Sequence, residues 1–122
     1  MTKIAIIEDD SVINQMYRMK FEADGFEVQV ADNGKSGITM VESFKPDMIL
    51  MDLQMPEMGG EEALEHIRSQ SWGKTIPVII LTNLGIEESP KKLKDLGIQN
   101  YIVKAELTPS EVVERVKEAL GL

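Results

Sequence analysis

Residues 48–52 read MILMD, four consecutive apolar residues followed at once by an acidic one. A short, unbroken apolar run is typical of a strand that is buried on both faces of a parallel sheet. Similar runs, each ending in polar residues, stand at 4–7 (IAII), 78–81 (VIIL) and 100–103 (NYIV). Phe26, Val28 and Val30 alternate with polar residues, as in a half-buried strand. Five strands are therefore expected.

A segment with helical spacing of apolar residues follows each strand. The first begins after Asp10 or Ser11, either of which suits the N-cap, and ends at Gly25. Its expected inward face consists of Val12, Ile13, Met16, Met19 and Phe21. The other helices are expected over about 35–43, 61–70, 88–97 and 109–120, with Pro90 and Pro109 in first turns and a capping box at Thr108–Glu111. Five strand–helix pairs predict an α/β domain: a parallel sheet with helices on both faces.

The composition narrows the possible functions. A length of 122 residues predicts one domain over 1–122. Thirteen basic and 21 acidic residues give a net charge of −8, which argues against nucleic acid or a membrane as a direct partner. Without cysteine there is neither a disulfide nor a thiolate metal site. The sequence contains no secretory signal and no apolar run of membrane-spanning length, so a cytoplasmic location is expected.

The residues that follow the strands are the candidates for a site, because ligands of open α/β sheets bind at the carboxyl ends of the strands. Acidic residues follow the first and third strands, at Glu8-Asp9-Asp10 and Asp52, while Thr82 and Lys104 lie at the ends of the fourth and fifth. Crowded carboxylates call for a cation, and hard oxygen ligands suit Mg²⁺. Lys104 can hold a phosphoryl oxygen, and Asp52 is a candidate nucleophile for an aspartyl phosphate. Asp10 is interpreted as a helix cap.

This set of residues, in this order, resembles the response-regulator receiver domain of two-component signalling. The motifs that carry the resemblance are IIEDD, MDLQMPEMGG around Asp52, LTN at Thr82 and YIVK ending in Lys104. The resemblance spans essentially the whole chain. It implies a flavodoxin-like, three-layer (βα)5 sandwich with a five-stranded parallel sheet in the order 2-1-3-4-5.

The resemblance also implies roles for individual residues. Asp52 would accept phosphate from a histidine kinase or a histidine phosphotransfer protein. Asp9, Asp52 and the backbone carbonyl of Gln54 would ligate Mg²⁺, with Glu8 acting directly or through water. Lys104 would bind the phosphoryl group, Thr82 would move toward it, and Tyr101 would turn inward as the second member of the switch pair. Gln54 and Leu84 would help to set the lifetime of the phosphorylated state.

A downstream protein is expected on the face formed by the fourth helix, fifth strand and fifth helix. Lys91, Lys92 and Lys94 form a basic cluster on the fourth helix. A solvated helix face is the favoured interpretation of this cluster, and docking of an acidic partner is the alternative. Only one helix is expected after Lys104 in this sequence, which would fit either a stand-alone regulator or a receiver excised from a longer protein. Two residues depart from the family pattern: Ala105 stands where a proline is usual, and Asn83 where a small residue is usual. His66 is interpreted as a solvated helix residue, and Trp72 as a cover over apolar surface.

Other functions fit the sequence less well. A hydrolase of the haloacid-dehalogenase type would carry a second aspartate two residues after the nucleophile, where this chain has Gln54. A receiver-like scaffold without phosphorylation would not need the full set of Asp9, Asp52, Thr82 and Lys104. A flavin-nucleotide binder would need phosphate donors in the first loop, which is acidic here. The chain is expected to act as a signalling module rather than as an enzyme in the strict sense.

Overall fold

The computed structural model describes residues 1–122, with strands and helices in strict alternation. Its parallel strands are β1 (Lys3–Ile7), β2 (Glu27–Ala31), β3 (Met48–Met51), β4 (Val78–Thr82) and β5 (Asn100–Val103). Its α-helices are α1 (Ser11–Ala23), α2 (Gly34–Phe44), α3 (Gly60–Arg68), α4 (Lys92–Leu96) and α5 (Pro109–Ala119). The sheet order is β2-β1-β3-β4-β5, so the expected 2-1-3-4-5 topology is confirmed.

Two apolar layers cover the two faces of the sheet, because alternate residues of each strand point in opposite directions. On one face, Ile6, Leu50 and Ile79 pack with residues of α1 and α5 such as Phe21 and Val112. On the other face, a second cluster joins the sheet to α2, α3 and α4 through residues that include Ile7, Met51, Val41, Leu64 and Leu93. Both faces of the central strands are therefore buried, as their unbroken apolar runs predicted.

The helix ends largely follow the sequence signals. Asp10 caps α1 by accepting hydrogen bonds from the backbone N–H groups of Val12 and Ile13. Thr108 and Glu111 form the predicted capping box at the start of α5, with Pro109 at the first helical position. Gly97 ends α4 in the left-handed conformation, at a φ of 77°, which glycine adopts without steric cost. No helix has the length and apolar character needed to cross a bilayer.

The inward face of α1 differs from the prediction. Asn14, Tyr17 and Phe21 are the buried residues of this helix, whereas Val12 is 77% and Met19 68% exposed. Ile13 and Met16 pack partly against the core, so only part of the predicted face was right. The helix begins at the Asp10 cap, and the positions four, seven and eleven residues later face the sheet. This phase places an asparagine inside and two apolar residues outside.

The fourth helix is shorter than predicted. Residues Ile86–Glu88 form a single 3₁₀ turn, and α4 starts only after Lys91. Pro90 therefore precedes the helix instead of lying in its first turn, so that expectation was wrong. The residue before a proline is pushed toward extended conformations, and Ser89, with φ −69° and ψ 143°, breaks the helix there.

Candidate functional site

The strand register brings the acidic residues to one level. Ile7 of β1 pairs with Met51 of β3, so the next residues, Glu8 and Asp52, leave the sheet side by side. Thr82 pairs with Val103 at the far ends of β4 and β5, and Lys104 follows immediately. The pairing thus accounts for the convergence of four predicted site residues at the carboxyl edge of the sheet.

The Asp52 carboxylate is buried, with 5% of the residue exposed, and both of its oxygens have partners. Oδ1 accepts hydrogen bonds from the backbone N–H groups of Leu53 at 2.7 Å and Gln54 at 3.3 Å. Oδ2 lies 3.1 Å from the Nζ atom of Lys104. The backbone and the ammonium therefore fix the orientation of this carboxylate.

The two glycines of the MPEMGG motif fit against the backbone that carries Asp52. A Cβ atom on Gly60 would lie 2.1 Å from the carbonyl oxygen of Asp52, and one on Gly59 would lie 2.8 Å from that of Leu53. The Gly60 N–H donates to the Leu53 carbonyl at 3.0 Å. Only residues without a side chain allow this close approach, which folds the loop after β3 back over the site.

Glu8, Asp9 and Asp52 form a carboxylate cluster whose ligand oxygens all lie within 4.8 Å of one another. Glu8 is buried, while Asp9 is exposed at the mouth of the cluster. Burial raises the pKa of Glu8, and the charge of Asp52 raises it further, whereas hydrogen bonds from Lys104 and from the Asp10 N–H oppose the shift. Hard oxygen donors at this spacing, one of them open to solvent, fit Mg²⁺.

Lys104 is the cation of this pocket, and it contacts both Glu8 and Asp52. Burial by itself would lower the pKa of Lys104, but the hydrogen bonds and charges of the two carboxylates outweigh it and raise the pKa above its usual value. The Lys104 ammonium therefore remains charged at neutral pH. Ala105, where the family usually has proline, lies in a 3₁₀ turn over Lys104–Glu106, and the Lys104 side chain still reaches the pocket.

Thr82, Leu84 and Tyr101 form a short chain of hydrogen bonds beside the pocket. The buried Thr82 Oγ1 accepts from the backbone N–H of Leu84 at 3.4 Å, and the Tyr101 hydroxyl donates to the Leu84 carbonyl at 3.0 Å. Tyr101 is half-buried against the core, and burial raises its pKa. Strand β5 is thus tied to the loop that follows Thr82.

The remaining predicted residues lie at or near the surface. Gln54 is exposed, as is Asn83, the residue that departs from the family pattern. His66 is exposed on α3, and Trp72 packs partly against the core cluster. Lys91, Lys92 and Lys94 are all exposed, and Lys92 pairs with Glu65 at 2.7 Å.

Sequence reasoning missed two residues that lie next to the pocket, Asn14 and Tyr17 of α1. The side-chain N–H of Asn14 donates to the Glu8 carbonyl at 3.1 Å. Burial raises the pKa of the Tyr17 phenol, which also senses the charges of Lys104 and Glu8. Their spacing of four and seven residues from the Asp10 cap was the available signal, but the apolar residues nearby favoured another inward face.

Residues 4–117 match the response regulator receiver domain. The pocket, the sheet order and the glycine-supported loop all agree with this match. The chain belongs to this family. It is 30% identical over 118 residues to the polar-differentiation response regulator DivK of Brucella anthropi, covering 97% of this chain and 95% of DivK. The chemotaxis response regulator CheY4 of Vibrio cholerae has the same fold, with a TM-score of 0.88, 27% identity and 98% of each chain covered.

Other relatives are longer. The phosphate regulon transcriptional regulatory protein PhoB of Escherichia coli is 30% identical over 118 residues, which is 97% of this chain and 51% of PhoB. The receiver chain therefore spans about half the length of such a relative and nearly all of DivK. It is a receiver domain of the two-component type, a signalling domain, with an acidic pocket suited to Mg²⁺.

Proposed function

We propose that this receiver domain accepts a phosphoryl group on Asp52 from a phosphohistidine and changes its partner-binding surface in response. The observation that carries the proposal is the state of Asp52: a buried carboxylate at a strand end, oriented by two backbone N–H groups and paired with Lys104. An aspartate in this setting can act as a nucleophile that forms an acyl phosphate.

In the transfer step, a carboxylate oxygen of Asp52 attacks phosphorus, and a P–O bond forms while the P–N bond to the donor imidazole breaks. The imidazole leaves with the electron pair and takes up a proton from water. The Lys104 ammonium binds a phosphoryl oxygen, and the Thr82 hydroxyl donates to another. Such positioning and neutralisation of charge provide most of the catalysis in phosphoryl transfer. Water later attacks the acyl phosphate and releases inorganic phosphate, which resets the domain.

Glu8, Asp9, Asp52 and the Gln54 backbone carbonyl are the proposed holders of Mg²⁺. When bound, Mg²⁺ neutralises negative charge that gathers on the transferring group. Without a cation other than Lys104, three carboxylates would repel an incoming phosphate. Asp9 lies exposed at the mouth of the cluster, where an ion from solvent arrives first.

The output would reach the surface through Thr82, Leu84 and Tyr101. If the Thr82 hydroxyl turns to the phosphoryl group, it loses its contact with the Leu84 N–H. Because the Leu84 carbonyl accepts the hydrogen bond of the Tyr101 hydroxyl, a change at Leu84 reaches β5. We therefore place the downstream protein on the face formed by α4, β5 and α5. Phosphorylation would bias two pre-existing arrangements of this face. A histidine kinase or phosphotransfer protein is the proposed donor, in the cytoplasm, with no direct nucleic acid or membrane contact.

The test is incubation with acetyl phosphate and Mg²⁺, followed by intact mass spectrometry. One phosphoryl group per chain is expected, stable in acid and labile in base, and absent from Asp52→Asn. The matched control is Asp47→Asn, which alters an exposed aspartate at the opposite end of β3 and should label like the wild type. Labelling of Asp52→Asn at the wild-type level would contradict the proposal.

A further inference from the structure

Asn14 is a polar residue in an apolar place. It is 5% exposed and lies on the inward face of α1, which also carries the buried Tyr17 and Phe21. Its amide oxygen is the one buried side-chain polar atom in the protein that has no hydrogen-bond partner. An unpaired buried acceptor costs stability, so an aliphatic residue of similar size would suit the fold at least as well.

The other end of the amide has a specific partner. Asn14 Nδ2 donates to the carbonyl of Glu8 at 3.1 Å, and no other group donates to this carbonyl, which lies beyond the last pairing of β1. This contact also fixes which way round the amide stands, because the opposite orientation would set two oxygens against each other. The unpaired amide oxygen is thus the consequence of holding the Glu8 carbonyl.

The Glu8 carbonyl belongs to the peptide that joins two of the three clustered carboxylates, Glu8 and Asp9. The Glu8 N–H is held by the Ala31 carbonyl of β2 at 2.9 Å, and the Asp10 N–H donates to the Glu8 side chain at 3.1 Å. Those two contacts hold the preceding peptide and the Glu8 side chain, whereas Asn14 holds the Glu8–Asp9 peptide itself, through its carbonyl. Without it, the Glu8–Asp9 peptide could rotate and carry the Asp9 carboxylate out of the cluster.

We propose that Asn14 is a positioning residue for the acidic pocket: it holds the Glu8–Asp9 peptide so that the two carboxylates stand ready for a divalent cation. The inference rests on the proposed function of the pocket. It gives α1 a role in cation affinity, and the unpaired amide oxygen is the stability cost of that role. Groups behind a metal ligand typically change the metal affinity or activity 10- to 100-fold when they are lost.

The experiment compares the wild type with Asn14→Leu, which keeps the size of the side chain and removes the donor. Mg²⁺ affinity is measured by calorimetry, and acetyl phosphate labelling is followed over a range of Mg²⁺ concentrations. We expect Mg²⁺ affinity to fall roughly tenfold, with the labelling rate of the variant recovering at saturating Mg²⁺. The metal-free thermal midpoint should stay unchanged or rise, and the carbonyl ¹³C shift of Glu8 should move.

Phe21→Leu is the control, since Phe21 lies on the same buried face two turns away and packs against Phe26 instead of the pocket. It should lower the thermal midpoint and leave Mg²⁺ affinity as in the wild type. Wild-type Mg²⁺ affinity in Asn14→Leu would overturn the inference while leaving the proposed function intact. A wild-type protein that binds no Mg²⁺ would instead refute the metal site and, with it, the role of Asn14. A parallel fall of stability and affinity in both variants would also overturn it.

Discussion

Gly60 stands directly against Asp52: a Cβ atom at position 60 would lie 2.1 Å from the Asp52 carbonyl oxygen. The first residue of α3 is therefore packed against the backbone of the proposed nucleophile itself, without room for a methyl group. This contact sets the direction in which the loop after β3 leaves the site. It also makes the geometry of Asp52 depend on a residue that carries no functional group.

Gly60→Ala should therefore disturb the site as well as the fold. The backbone of Asp52 or of α3 must shift, which we expect to cost roughly 2–3 kcal/mol of unfolding free energy and to slow phosphorylation of Asp52. Urea unfolding and acetyl phosphate labelling measure the two effects. Gly85→Ala is the control, because the nearest atom to a Cβ there is 3.7 Å away. Equal behaviour of the two variants would refute the argument from close approach.

Lys104→Met should leave Glu8 and Asp52 buried without a cation. Losing one member of a buried ion pair costs about 3–5 kcal/mol, and we expect a loss of this order in urea unfolding at neutral pH without Mg²⁺. Added Mg²⁺ should restore part of the stability, because it supplies the missing charge. Lys92→Met removes an exposed pair with Glu65 and should leave the unfolding free energy nearly unchanged. A loss in Lys104→Met no larger than this control would show that the pocket does not need the ammonium.

The phenols of the two tyrosines should ionise at a higher pH than free tyrosine. Burial raises the pKa of Tyr17 and of Tyr101 above the ordinary value of 10.0, so the folded state disfavours both phenolates. A raised folded-state pKa means that each contribution to stability is present below pH 10 and is lost as the pH rises through the folded value. Ultraviolet titration should show ionisation above pH 10 in the folded protein and near it in urea. In Tyr101→Phe, one of the two late steps should disappear.

Arg68 fastens α3 to the two chain segments beside it. Its guanidinium donates to four backbone carbonyls, those of Gly73 and Ile76 before β4 and those of Leu96 and Gly97 at the end of α4, at 2.7–2.8 Å. Arg68→Met should cost about 2 kcal/mol, since hydrogen bonds from charged donors are the stronger class. Arg18→Met, which loses only an exposed pair with Glu22, should stay within about 0.5 kcal/mol. Equal unfolding free energies for the two variants would contradict this stabilising role of Arg68.

Much of the topology could be predicted from the sequence, because the apolar runs and the helix caps report local preferences that agree with the fold. The convergence of Glu8, Asp52, Thr82 and Lys104 followed from one rule about strand ends. The strand order came from the resemblance to receiver domains rather than from the pattern of residues. The neighbourhood of Asp52 was therefore foreseeable in its residues, though not in its distances.

What the sequence did not reveal depends on packing between distant segments. The inward face of α1 is decided by the phase of the helix from the Asp10 cap, and a count of apolar residues favours Val12 and Met19 instead. Position 60 requires glycine because of its contact with the Asp52 carbonyl, and local conformational preferences do not predict that contact. The length of α4 depends on Pro90. A proline suits a first helical turn, but it also pushes the residue before it, Ser89, into an extended conformation that interrupts the helix.

The central claim is that Asp52 itself receives the phosphoryl group, and reductive trapping of the unmutated protein tests it most directly. After reaction with acetyl phosphate and Mg²⁺, borohydride converts an acyl phosphate of aspartate to homoserine, and peptide mass spectrometry locates it. The account predicts homoserine at position 52 and none at position 9, with no conversion when Mg²⁺ is chelated. Homoserine at position 9, or no conversion at position 52 in protein that carries the phosphoryl label, would contradict it.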